Sequence, residues 1–171
     1  MKKIILAFVI TLMGTGMGFS QKFAFVNTDY ILGRIPAYDA SQKQLDKFAS
    51  DWQTEIENKR ADIEKLYKDY QAERVLLTEE MRKKREDDII SREQALKDLQ
   101  KKYFAPEGEL YKKRQELVKP IQDDVFNAIK ELAEEGNYDV IFDTSSGPNM
   151  LYTNPRFDKS DDVLTKLGIQ N

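Results

Sequence analysis

Thr78-Glu79-Glu80 lies in the middle of residues 37–105, a run of 69 residues with neither glycine nor proline, and its reading decides the fold. The run is rich in Lys, Glu, Gln, Leu and Ala, all good helix formers, so long helices are expected. At about 1.5 Å per residue, one rod from 41 to 119 would hold its ends roughly 120 Å apart. A cap-type threonine followed by two acids is instead what opens a new helix, because the side chains answer the free N–H groups and positive end of its first turn.

The flanks favour a hairpin over a rod. Phe23-Ala24-Phe25-Val26-Asn27 and Tyr138-Asp139-Val140-Ile141-Phe142-Asp143 read as short apolar strands. At opposite ends of a rod each would be an unpaired edge; a reversal lets them meet. A turn near residues 75–78 gives arms of about 36 and 41 residues, matched in length at some 55–60 Å.

Each arm carries a narrow apolar stripe at steps of three, four or seven, as in coiled coils. The first is Leu45, Phe48, Trp52, Ile56, Ile63, Leu66/Tyr67 and Tyr70; the second is Ile89, Leu96, Leu99, Tyr103, Leu110 and Leu117, continuing to Ile121 and Val125. Ser41-Gln42-Lys43-Gln44 fits a capping box that starts the first helix. Pro106 and Gly108 predict a bend or flexible joint in the second arm, and Pro120 a kink where it re-enters the body. Beyond that, Gly136-Asn137 closes a helix, Ser145-Ser146-Gly147-Pro148 is a turn, and Met150-Leu151-Tyr152-Thr153 reads as a third strand. Ser160-Asp161-Asp162 looks like the cap and acidic first turn of a short helix carrying Val163, Leu164 and Leu167 and stopped by Gly168. The expected fold is α+β and mostly helical. A coiled-coil hairpin (41–119) projects from a small β-containing oligomerisation body (21–40 and 120–171), with Phe23, Phe25, Val140, Phe142 and Leu151 as its candidate contact residues.

The start of the chain reads as an export signal. Lys2 and Lys3 precede the apolar run Ile4–Met13, and a Gly/Ser stretch ends at Ser20, so cleavage is expected before Gln21. The apolar run is about half the length that spans a bilayer, so the mature chain is expected to be soluble outside the cytoplasm. Without Lys2 and Lys3, 25 Lys+Arg face 30 Asp+Glu. The arms are nearly neutral, with 19 bases against 18 acids between 41 and 119, and the acidity lies in the body. Export and the acidic total disfavour nucleic-acid binding. Arg82-Lys83-Lys84-Arg85 makes the tip locally basic. It reads either as a solvated face, since Glu86-Asp87-Asp88 follows, or as a contact for acidic lipid headgroups or client segments.

The chain has no Cys and no His, which removes disulfides, thiolate metal sites and the commonest general base. No Gly-rich phosphate loop or serine nucleophile motif is present, so no catalytic residue, metal or cofactor is expected. Val140-Ile141-Phe142-Asp143-Thr144-Ser145 approaches the Asp-Thr-Gly signature of aspartic proteases, but Ser145 stands where the glycine belongs and no second copy exists. The plain reading is that Asp143 ends a strand and opens a turn. The arms hold more aromatics than a seam uses: Phe48, Trp52, Tyr67, Tyr70, Tyr103, Phe104 and Tyr111. Where Tyr67 follows Leu66, or Phe104 follows Tyr103, one of the pair cannot face the partner helix. These seven are the candidate client-binding residues.

The order of these segments resembles the Skp/OmpH-like periplasmic chaperones. The resemblance rests on Phe23–Asn27 with Tyr30-Ile31-Leu32, on Pro120-Ile121 through Val125 with Ala128-Ile129, and on Tyr138–Asp143. Met150-Leu151-Tyr152 and Asp161-Asp162-Val163-Leu164 with Lys166-Leu167 extend it over essentially the whole mature chain. It implies a homotrimer whose hairpins enclose a cavity and hold unfolded outer-membrane β-barrel proteins without ATP, with peripheral contact to membrane or lipopolysaccharide. The nearly neutral arms depart from the family's strongly basic ones, which shifts weight from charge to aromatic and apolar contacts. The alternative is a structural coiled coil that bridges envelope components.

Overall fold

The computed structural model describes residues 21–145, 147 and 152–169. The expected signal at 1–20 lies outside them, as do Met150 and Leu151.

Strand β1 (Phe23–Val26) pairs in parallel with β2 (Val140–Asp143), Phe23 opposite Val140 and Val26 opposite Asp143. Parallel neighbours need a crossover, and here the crossover is the whole hairpin. After β1 come α1 (Thr28–Gly33) and α2 (Pro36–Glu73); the chain then reverses and returns as α3 (Glu79–Phe104), α4 (Glu109–Leu117) and α5 (Lys119–Gly136). The fold is the expected helical hairpin on a small β-containing body.

Helix α2 starts at Pro36, not at the Ser41 capping box. Proline is favoured at the first helical position because its missing N–H has no intrahelical partner there and its φ is already helical. Ser41 is therefore inside the helix, and its hydroxyl donates to the Leu117 carbonyl at 3.2 Å, tying the two arm roots together. The reversal is a single 3-10 turn, Arg74–Leu76, followed by extended Leu77. Thr78 then caps α3 by accepting the Met81 N–H at 3.3 Å, with Glu79 and Glu80 in the first turn.

Helix α3 stops at Phe104. Gly108 N–H bonds the Ala105 carbonyl at 2.8 Å, closing a turn around Pro106 and Glu107. A Cβ on Gly108 would lie 2.8 Å from the Tyr103 carbonyl and 2.9 Å from that of Lys102, so only glycine fits this close approach. The break expected at Pro106 and Gly108 is thus a close-packed elbow. At Pro120 the break is milder: Val118 separates α4 from α5 and is itself buried.

Helix α5 ends on Asn137, in the left-handed region at φ 49°. Tyr138 N–H reaches the Ala133 carbonyl and Asn137 N–H that of Glu134, which satisfies the last free carbonyls. The ring of Tyr138 folds over Gly136, where a Cβ would collide at 2.3 Å. Helix α6 (Ser160–Lys166) closes the body. Its N-cap position is Lys159, not Ser160 as the sequence pattern predicts, and the Ser160 N–H is met by Asp158 at 2.9 Å. Ser160 is buried and turns inward, accepting the Asn27 N–H at 2.9 Å. Tyr152 and Thr153 of the expected third strand carry no strand pairing; the chain meets β1 further on, at the bridge between Phe25 and Asp158.

The body core is Val26, Ile31, Leu32, Val125, Ala128, Val163 and Leu164, with Ile121, Ile129 and Ile141 packed against it. Each Val, Ile or Leu among them, fully buried, contributes about 1.5–3 kcal/mol. The sheet offers one face to this core, through Ala24, Val26 and Ile141. Its other face carries Phe23, Phe25, Val140 and Phe142.

Candidate functional site

Three places gather the residues singled out by sequence. The first is the strand end at Asp143. Thr28 donates to its carboxylate through the backbone N–H (3.1 Å) and the hydroxyl (2.7 Å), and Ser145 does the same at 3.0 and 2.8 Å. Burial alone would raise its pKa, but these four bonds outweigh burial and hold it below the ordinary aspartate value. An aspartic dyad needs two carboxylates sharing a proton. Here both oxygens are occupied by hydroxyl and amide donors that fasten β2 to the start of α1. Among the described residues no cluster of acids is arranged to hold a metal ion.

The second place is the arm root. Trp52 of α2 lies flat against Tyr103 of α3, ring centroids 4.6 Å apart and planes 4° from parallel. Phe48, one turn earlier, stacks on Trp52 at 5.6 Å, and Phe104 sets its edge against both Trp52 and Tyr103 at 6.4 Å. The Tyr103 hydroxyl donates to Glu55 at 2.8 Å, which raises its pKa because the phenol is the bond's donor. Lys113 and Lys102 sit 5.6 Å from the Phe48 and Tyr103 rings. The elbow at 105–108 ends α3 just after Phe104 and leaves that ring more than a third exposed.

The other candidates divide. Tyr70 is only 4% exposed, sealed in the seam with its hydroxyl on Glu86 across the hairpin. Tyr67 and Tyr111 are about half exposed, at 52% and 48%. Of the basic run, Arg82 bonds the Leu77 carbonyl and Glu79, and Arg85 pairs with Glu73, so both brace the turn. Lys83 and Lys84 are exposed and make no ion pair among the described residues.

The third place is the outer sheet face. Phe25 packs against Phe142 at 5.7 Å and edge-on to Phe23 at 5.8 Å, while Phe23 meets Phe157 at 5.0 Å. Phe23, Val140 and Phe142 are each over 40% exposed. Phe157 joins them from a 3-10 turn at 155–157, where no periodic pattern could announce it. Phe126, 65% exposed on α5, was also missed. It follows buried Val125, and two adjacent helix positions cannot both point inward, the same rule that separates Tyr67 from Leu66.

A hairpin of this length on a two-stranded parallel body can now be compared with known proteins. The family model for outer membrane protein (OmpH-like) matches residues 22–167. The chain belongs to the OmpH-like family. Among relatives, an uncharacterized protein of Aquifex aeolicus is 28% identical over 160 residues, 94% of each chain. The OmpH-like chain is also 24% identical over 148 residues to the chaperone protein Skp of Yersinia enterocolitica, covering 86% of this chain and 87% of that one. For the chaperone protein Skp of Vibrio cholerae the identity is 27% over 164 residues, covering 90% and 88%. The crystal structure of an OmpH-like protein from Caulobacter crescentus superposes with a TM-score of 0.66 at 14% identity, over 90% of this chain and 88% of that one, a likeness of fold.

Proposed function

We propose that this OmpH-like chain is an ATP-independent holdase chaperone of the periplasm, which binds unfolded outer-membrane β-barrel proteins and keeps them from aggregating. The observation that carries the reading is the aromatic ladder Phe48–Trp52–Tyr103–Phe104, partly buried and open to solvent at Phe104, extended by exposed Tyr67 and Tyr111. Such π faces bind apolar and aromatic side chains of any sequence, which suits a surface that holds unfolded chains. Tyr70 belongs to the seam and takes no part while the arms are paired. The curated chaperones of similar length support the reading, and the uses made of Asp143 argue for a structural rather than a catalytic carboxylate.

In the same proposal, residues 1–20 export the chain, and 21–40 with 120–171 assemble three copies through the aromatic sheet face. An open face with three phenylalanines and a valine is costly in water, and covering it by like faces removes that cost. The test uses the mature chain from Gln21. Its mass in solution should be that of a trimer, and without nucleotide it should suppress aggregation of a refolding outer-membrane protein. A monomer that leaves the client aggregating sinks the proposal. One stoichiometric envelope partner, with no affinity for unfolded chains, would make it a bridging coiled coil instead.

A further inference from the structure

The chain is tied to the body from Lys22 onward. The Lys22 N–H donates to Asp139 Oδ2 at 2.8 Å, and the Lys22 carbonyl accepts the Asp139 N–H at 2.7 Å. The Lys22 ammonium donates to the Gly136 carbonyl at 2.6 Å and lies 4.3 Å from the centre of the Tyr138 ring. Strand β1 follows at once with Phe23. Gln21 stands just outside this clamp. It is exposed, and its side chain makes no hydrogen bond or ion pair among the described residues. It is also the residue that becomes first when the export signal is cut before it.

We propose that Gln21 is a modification site: as the first residue of the mature chain it closes to pyroglutamate. This rests on the export reading above, in which residues 1–20 are removed. The α-amino nitrogen attacks the side-chain amide carbon, Cδ. A new nitrogen–Cδ bond closes a five-membered lactam, the Cδ–Nε2 bond breaks, and one proton passes from the α-nitrogen to the departing nitrogen. Ammonia leaves, and no oxidant, reductant or co-reactant is consumed.

Both reacting groups belong to one residue, so closure is a unimolecular step that spends no free energy on bringing them together. An α-amino group titrates just above neutrality, so a share of it is the free, nucleophilic amine. The reach is particular to glutamine, because an asparagine would have to close a strained four-membered ring. The fold adds two things. It fixes the chain at Lys22 while leaving the Gln21 side chain free to turn back on its own amine. It also gives the ring a use. Strand alternation carried back from β1 places Gln21 on the side of Phe23, at the edge of the aromatic sheet face. An ammonium there would lose water when that face is covered, at a cost the uncharged lactam escapes.

Two arms of one experiment test it, both read by intact mass and N-terminal sequencing. In the first, the full chain is expressed with residues 1–20 and recovered after export. Its mass should be that of residues 21–171 less one ammonia, and its end should resist sequencing until pyroglutamyl aminopeptidase removes the ring. In the second, a fusion is cut in vitro directly before Gln21 and the freed chain is held in buffer. It should lose ammonia with time, whereas Gln21→Ala cut at the same bond should keep its mass and an open amine. Closure in the exported chain alone supports the site and assigns the step to an enzyme of the cell. An exported chain that begins at Gln21 with an open amine overturns the proposal and leaves the export reading standing. One that begins elsewhere, or keeps residues 1–20, overturns both. Ammonia lost equally from Gln21→Ala puts the change at another residue and overturns the proposal as well.

Discussion

Arms and body hold themselves together by different means. In the arms the partners are close in space along a two-helix seam, and the deeply buried apolar side chains are few: Leu45, Ile56, Tyr70 and Ile89, with Val118 at the root. Most ion pairs there are exposed and lie three or four residues apart, such as Lys47–Asp51 and Lys68–Glu64, each worth little. In the body the bonds join residues more than a hundred positions apart, Asn27 to Ser160 and Thr28 to Asp143, around a core shared by every element. The arms can therefore open locally, while the body should yield as a unit. A chaperone surface is better placed on the part that can move without unfolding the whole.

The comparison breaks most visibly at two equally buried aliphatics. Leu164→Ala in the body should cost about 3–5 kcal/mol, because Val163, Val26 and Ile31 surround it and cannot close the cavity. Ile56→Ala in the arms should cost about 2 kcal/mol, since two helices can draw together over the gap. Urea denaturation followed by circular dichroism measures both. Equal costs with one shared transition would show that arms and body are a single cooperative unit.

Asp143→Asn comes next, at about 1–3 kcal/mol, because an amide nitrogen cannot accept the Thr28 and Ser145 donors. The sign with pH follows from the lowered native pKa. The unfolded state binds this proton more readily, so the carboxylate's contribution is complete above the ordinary aspartate range and is lost as pH falls through the native value. The parent should lose stability on acidification more steeply than the variant. Parallel slopes between neutral and acid pH would show that Asp143 does not couple to folding.

A smaller and local effect is expected at the elbow. Gly108→Ala puts a methyl on the Tyr103 and Lys102 carbonyls and should cost about 1–2 kcal/mol. Amide exchange should quicken along α4 and around Phe104 while the body stays protected. Exchange unchanged in α4 would mean that the elbow gives way freely and is a loose joint after all.

The hairpin was legible because its signals are local: a breaker-free run, a stripe at helical spacing and a threonine cap, all readable within a few residues of one another. The two strands were legible for the same reason, though only their need for each other turned a rod into a hairpin. What escaped depends on distant partners. Nothing near Ser160 says that its hydroxyl faces Asn27, or that the helix starts one residue after Lys159 with no side-chain cap. The aromatic candidates stood out in the sequence as more side chains than a seam uses. Which of them are open depends on register across the hairpin: Tyr70 meets Glu86 and is sealed, while Phe104 lies at a helix end and stays exposed.

The smallest expected effect concerns salt, and it bears on which region does the capturing. Between 41 and 119 the charges nearly cancel, and most lie in exposed pairs along one helix, so little long-range field remains to draw in a client. Raising ionic strength from roughly 0.05 M to roughly 0.5 M shortens the Debye length from about 14 Å to about 4 Å and should leave client protection within about twofold. Phe104→Ala should weaken protection at both salts, since it removes aromatic surface that screening does not touch. A tenfold loss of protection in salt alone would move the capture surface from the aromatic root to the charged faces and tip.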